Sequence, residues 1–189
     1  MKQLKVCLIG DSGVGKTSLL SRFIDNTFSP RTMPTICANI FIHEFHVDGK
    51  ITQVALWDTA DQERFRSLAT MYYRNTNGCL IVFGLNDPDS FYNIKTWYNN
   101  LIHTVGTDVA IIIVGNKNDL PEISITEQEI KALANELHCS WCLVSAKTGE
   151  GVSNAFESIA SMLHITKDEE SDEQSQHNLN NSSSQNICH

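Results

Sequence analysis

Short apolar runs alternate along the chain with helical patterns of several turns, which predicts an α/β fold built on a mainly parallel sheet. Two local signals refine that class. A Gly-rich loop separates the first run from the first helical pattern, and an Asp-Gly pair joins the second and third runs.

Val6 to Ile9, Leu80 to Phe83, Ala110 to Val114 and Trp141 to Val144 read as strands covered on both faces. Ile40 to Val47 and Ile51 to Trp57 flank Asp48-Gly49, whose residues favour the left-handed backbone of a tight hairpin, so these two runs should pair antiparallel. The expected sheet has six strands, mainly parallel, with one antiparallel strand and about five helices around it. The helices are marked by Ser18 to Ile24 after the Gly-rich loop, by Phe91, Ile94, Tyr98 and Leu101 after an Asp89 cap, by Ile130, Leu133 and Leu137 after Thr126, and by Val152, Phe156, Ile159 and Leu163. Core packing accounts for these stripes without a cofactor.

The chain of 189 residues divides into a domain over residues 1–166 and a tail over 167–189. The tail contains Asp168-Glu-Glu-Ser-Asp-Glu173 followed by Ser, Asn and Gln, a composition that cannot bury a core and is expected to be disordered. It also carries half of the formal net charge of -8. That charge has the wrong sign for neutralising a nucleic-acid polymer. The longest aliphatic stretch, Val109 to Val114, is far shorter than a membrane span, and the N-terminal apolar run ends at Gly10, too soon for a secretory signal. A cytoplasmic protein is expected. Six cysteines show no disulfide framework, and Cys139-Ser-Trp-Cys142, a lone CxxC pair, is read as structural.

Gly10-Asp-Ser-Gly-Val-Gly15-Lys16-Thr17 matches GxxxxGK[ST] in its strand-loop-helix setting. Glycines let backbone N–H groups converge on phosphate oxygens at a helix N-terminus, Lys16 supplies a point charge to the β- and γ-phosphates, and the Thr17 hydroxyl binds Mg²⁺. Asp11, Ser12, Gly13, Val14, Gly15, Lys16, Thr17 and Ser18 are thus the candidate phosphate-side residues. The loop does not choose between ATP and GTP. Asn116-Lys117-Asn-Asp119, at the carboxyl end of a strand, does: an aspartate there accepts from the ring N–H and the exocyclic amine of guanine, whereas adenine would leave it unpaired. Asn116 can tie the base loop to the phosphate loop, Lys117 can lie over the base, and Ser145-Ala146-Lys147 can present the Ala146 N–H to the guanine oxygen.

With these motifs in place, residues 3 to about 165 resemble a small GTPase of the Ras superfamily, specifically a Rab. The resemblance is carried by the phosphate loop, Trp57-Asp58-Thr-Ala, Gln62-Glu-Arg-Phe-Arg-Ser, Tyr72-Tyr73-Arg74, Asn116-Lys-Asn-Asp119 and Ser145-Ala-Lys147, in that order. It implies the P-loop NTPase (small G-protein) fold, and a switch in vesicle and membrane traffic that binds GTP or GDP with Mg²⁺. Two loops order around the γ-phosphate and bind effectors, and hydrolysis releases them. By the same resemblance Thr35 and Asp58 join Thr17 around Mg²⁺, and Gln62 is the catalytic residue that orients the attacking water. Hydrolysis is expected to be slow, on the order of 10⁻⁴ per second, until an activating protein assists. An exchange factor, a GTPase-activating protein and effectors are the implied protein partners.

The chain departs from that pattern at three places. The switch glycine, whose N–H meets the γ-phosphate in the family, is Asp61 here. After Thr35-Ile36 stands Cys37-Ala-Asn39-Ile instead of Gly-Val-Asp-Phe. The C-terminus has Cys188 alone, fitting neither a paired-cysteine ending nor a CaaX box, so membrane association rests at most on that one candidate lipidation site. Peripheral endomembrane residence follows only if it is lipidated. The leading reading is a slow, cycling Rab-like GTPase; the alternative is a guanine-nucleotide-binding pseudo-GTPase whose cycling Asp61 impairs. A small nucleotide kinase would need an arginine-rich lid, and none is visible.

Overall fold

The computed structural model describes residues 3–30, 35, 38–59 and 72–163. Cys37, Asp61, Gln62, Cys188 and the tail from 167 lie outside these described residues.

Six strands form one sheet: β1 (Leu4–Ile9), β2 (Asn39–Val47), β3 (Lys50–Asp58), β4 (Gly78–Gly84), β5 (Ala110–Asn116) and β6 (Ser140–Leu143). Their order is β2-β3-β1-β4-β5-β6, and only β2 runs antiparallel, to β3. The helices are α1 (Lys16–Asp25), the short α2 (Pro88–Tyr92), α3 (Ile94–Val105), α4 (Glu127–Glu136) and α5 (residues 152–163). The expected α/β class and mixed sheet are observed, and five helices stand among the described residues apart from a helical turn at 72–73.

Local chemistry accounts for the elements. Asp48 and Gly49 both take positive φ, 49° and 74°, the backbone twist that lets a two-residue turn join right-twisted strands. Thr126 caps α4 in a capping box, its hydroxyl accepting from the Glu129 N–H while the Glu129 carboxylate accepts from the Thr126 N–H.

Two expectations need correction. The cap of the second helical stripe is Asp87 rather than Asp89, because Pro88 follows it and its fixed φ suits a first helical position. That stripe is also divided at Asn93, with Phe91 on α2 and Ile94, Tyr98 and Leu101 on α3. The run ending at Val144 was expected to be covered on both faces, but β6 pairs only with β5, and Ser140 to Leu143 are exposed or half-buried. An edge strand has one neighbour, so its apolar residues reflect packing on helices more than enclosure.

Alternate residues of the central strands feed two core layers. Leu4, Val6 and Leu8 of β1 cluster with Leu19 and Leu20 of α1 and with Phe156 and Ile159 of α5. Cys7 and Ile9 join Ile81 and Phe83 against Ile94 and Leu101 of α3 and Ile130 of α4. Cys139 packs against this second layer and Cys142 against the first, so the CxxC pair is split between opposite faces of the sheet. Burial pushes both thiols up to about 11. They behave as apolar filling, as expected. No helix among the described residues is long and apolar enough to cross a membrane.

Candidate functional site

The sheet changes direction of growth between β1 and β4, and ligands of open α/β sheets sit at the carboxyl ends of strands beside such a switch point. The loop after β1 opens there. Gly15, at φ 99°, is the residue before α1 and has no side chain to cap it, and the first helical turn carries no acidic residue. Among the described residues no capping side chain competes with an anion for the N–H groups of that turn. A Cβ on Gly15 would collide with Nδ2 of Asn116, so closeness as well as φ demands glycine.

Lys16 is almost fully buried, and its Nζ donates to the Gly10 and Asp11 carbonyls, both at 2.8 Å, which fixes the ammonium inside the loop. Beside it the Thr17 hydroxyl donates to Oδ2 of Asp58 at 2.7 Å and lies 2.8 Å from Oγ1 of Thr35. Asp58 reaches this point because the parallel register sets it opposite Leu8, just ahead of the phosphate loop. The next residue, Thr59, donates to the Leu8 carbonyl at 2.6 Å and locks the end of β3 to β1. One carboxylate and two hydroxyls are hard oxygen donors, a set that fits Mg²⁺, which keeps waters and phosphate oxygens in its shell.

The base end is assembled by β5 and the loop after β6. Asn116 donates from Nδ2 to the Val14 carbonyl at 2.8 Å and accepts at Oδ1 from the Ala146 N–H at 3.1 Å, tying three segments together. The expected bridge from base loop to phosphate loop is thus present. The Ala146 N–H, assigned to a guanine oxygen from sequence, points at Asn116; a base would have to share that hydrogen. Lys117 holds φ 72°, a strained conformation for a side chain of its size. Asp119 accepts from the Ser145 hydroxyl at 2.7 Å and pairs with Nζ of Lys147 at 3.3 Å. The Ser145 hydrogen bond, aided by Lys147, holds the Asp119 carboxyl below the usual carboxylate range.

A cleft of about 340 Å³ joins the two ends. Ser12, Gly13 and Gly15 to Ser18 line one side; Asn116, Lys117, Asp119, Ala146 and Lys147 line the other. Besides Thr35 and Asp58, three more of the described sequence candidates act from outside the lining. Val14 is a core residue whose carbonyl serves Asn116, and Ser145 is fully buried and acts through Asp119. The Asp11 side chain turns away: its carboxylate accepts from Nδ2 of Asn93 at 2.6 Å and from Nε1 of Trp97 at 2.7 Å, pinning the phosphate loop to the start of α3. Trp97→Phe should cost about 1.5–3 kcal/mol or more in the unfolding free energy measured by denaturant titration, because a hydrogen bond to a carboxylate is lost and a phenyl replaces the larger indole packed on the core. Phe28, Pro30 and Leu120 also line the cleft and were not singled out from sequence. Phe28 is a large side chain left 37% exposed in a loop, a feature visible only once burial is known.

Fold and cleft together define a phosphate-loop nucleotide-binding protein of the α/β class. The chain belongs to the Ras family of small GTPases, whose sequence pattern it matches over residues 5–165. It is 38% identical over 160 residues to the Ras-related protein SEC4 of Saccharomyces cerevisiae, a match spanning 85% of this chain and 74% of that one. It is 43% identical over 159 residues to the Ras-related protein RABE1d of Arabidopsis thaliana, covering 83% and 74%. Against the Ras-related protein Rab-18 of Lymnaea stagnalis it is 40% identical over 162 residues, covering 85% and 80%. The expected resemblance to the Rab group is observed, and family membership makes the chain a GTPase.

Proposed function

We propose that this protein is a Rab-like guanine-nucleotide switch in vesicle and membrane traffic, binding GTP and GDP with Mg²⁺ and hydrolysing GTP slowly. The observation that carries the reading is one cleft with a phosphate-binding loop at one end and a carboxylate, Asp119, held ionised by Ser145 and Lys147 at the other. Lys16 and the first turn of α1 bind the phosphates, and Asn116 keeps the two ends in register. Thr17, Thr35 and Asp58 would hold Mg²⁺, which when bound neutralises phosphate charge. Gln62 is assigned to orient the attacking water on the family resemblance. The trafficking role rests on likeness to the Rab group. Edge strand β2 leaves Ile40, Phe41 and Ile42 exposed, an apolar surface in keeping with docking of effector proteins. Residues 1–166 are proposed as the complete nucleotide-binding domain, independent of the tail.

The test is the nucleotide that copurifies, followed by titration of the emptied protein with GDP, GTP, ADP and ATP at controlled Mg²⁺. Guanine nucleotides bound in preference to adenine nucleotides, with Mg²⁺ tightening them, is the expected result; equal binding of ADP overturns it.

A second reading, impaired cycling, is favoured by Asp61. Aspartate adds a Cβ and a negative charge where the family places a glycine N–H against the γ-phosphate. A carboxylate about 5 Å from that phosphate is repelled by up to about 3 kcal/mol at an effective dielectric of 20, while GDP is spared. Under this reading Asp61→Gly raises affinity for a non-hydrolysable GTP analogue relative to GDP and speeds single-turnover hydrolysis. Identical ratios and rates in wild type and Asp61→Gly would leave the ordinary cycling switch.

A further inference from the structure

Arg22 occupies the last turn of α1, where a cation is favoured by the helix dipole, and its guanidinium makes four hydrogen bonds that diverge to the loop after β6 and to the residue that ends α1. Nε donates to the Ala146 carbonyl at 2.9 Å and Nη2 to the Lys147 carbonyl at 2.8 Å, so two bonds grip the backbone of the loop after β6. Nη1 donates to the carbonyl of Asn26 at 2.9 Å and to its Oδ1 at 3.0 Å. Asn26 ends α1 in a left-handed conformation, φ 52°, and two residues later Phe28 reaches the cleft. One planar group therefore joins the loop carrying Ala146 and Lys147 to the segment carrying Phe28.

We propose that Arg22 is a positioning residue that holds together the two walls of the base end, setting both the selectivity for guanine and the rate of nucleotide release. The inference rests on the reading of this cleft as a guanine site. Gripping the Ala146 and Lys147 carbonyls fixes the backbone that carries the Ala146 N–H and from which the Lys147 side chain sets out to pair with Asp119. Without that grip the loop and the Phe28 segment separate, and Asp119 loses one of the partners that orient it. The phosphate end is built from Lys16, Thr17, Thr35 and Asp58 and is not touched by Arg22. The effect should therefore fall on the base. Lysine cannot replace arginine here, because an ammonium on a flexible stem does not present the rigid, diverging fork that three carbonyls and an amide oxygen require.

The experiment measures release of GDP, and affinities for GDP and inosine diphosphate, for the full chain, Arg22→Met and Arg22→Lys. Inosine lacks the exocyclic amine and so reports the Asp119 contact. Both variants are expected to release GDP about tenfold faster and to lose about threefold or more of the preference for GDP over inosine diphosphate. Release is expected to accelerate on chelation of Mg²⁺ by the same factor as in wild type. A role confined to stability would weaken both nucleotides equally, so an unchanged preference overturns the proposal. If Arg22→Met does not fold, Arg22→Lys, which keeps charge and stem, decides it. Wild type that binds ADP as tightly as GDP overturns the guanine reading itself, whereas a guanine preference unaltered by both substitutions overturns only the role of Arg22.

Discussion

Asp119→Asn is expected to weaken GDP and GTP alike by about 2 kcal/mol or more, a loss of roughly thirtyfold, because under the proposed function it removes the carboxylate assigned to two guanine donors. The structure adds a second reason. The carboxylate already accepts from Ser145 at one oxygen and from Lys147 at the other, so an amide must turn a donor toward one of these donors or toward the base. Equilibrium titration of the emptied protein with fluorescent GDP measures it, and unchanged affinity would overturn the assignment of Asp119. The same carboxylate gives a pH dependence. Its pKa is lowered in the fold, so its contribution is complete above the ordinary carboxylate value and disappears as pH falls through the lower folded one. GDP affinity should accordingly hold through mildly acidic conditions.

Gly10→Ala should destabilise the whole domain by about 3 kcal/mol or more. A Cβ at Gly10 would be driven into the carbonyl oxygen of Val82, a backbone atom of the neighbouring central strand, and φ there is 139°, outside the range side chains accept. Rotation of a side chain cannot relieve a clash between backbone and Cβ. Chemical denaturation measures the loss, and a midpoint equal to wild type would show that β1 and β4 are not packed as described. Gly13→Ala meets nothing within 4 Å of its Cβ and should cost only the strain of its φ of 76°, so the two glycines of one motif should differ clearly.

Much of this was legible in the sequence because it depends on local chemistry. The hairpin at Asp48-Gly49, the Thr126 cap and the alternation of apolar runs require only a residue's own preferences and its near neighbours. The phosphate loop and the Asn116–Asp119 segment were readable for the same reason: each is a short stretch whose spacing carries its chemistry. The Asp87 cap and the break at Asn93 were missed because two aspartates flank Pro88 and sequence spacing does not say which carboxylate turns back onto the helix.

The sequence by itself determined the α/β class and the resemblance to Rab proteins, and its motifs carry the residues on which the proposed nucleotide chemistry rests. What only the tertiary structure decided is where long-range neighbours stand. Asp11 sits inside the phosphate motif yet serves Asn93 and Trp97, more than eighty positions away, and Arg22 carries no motif yet holds Ala146 and Lys147. Charged side chains take their partners from whatever the fold sets within hydrogen-bond reach, and that choice is made by strand order and helix packing, which no local pattern encodes.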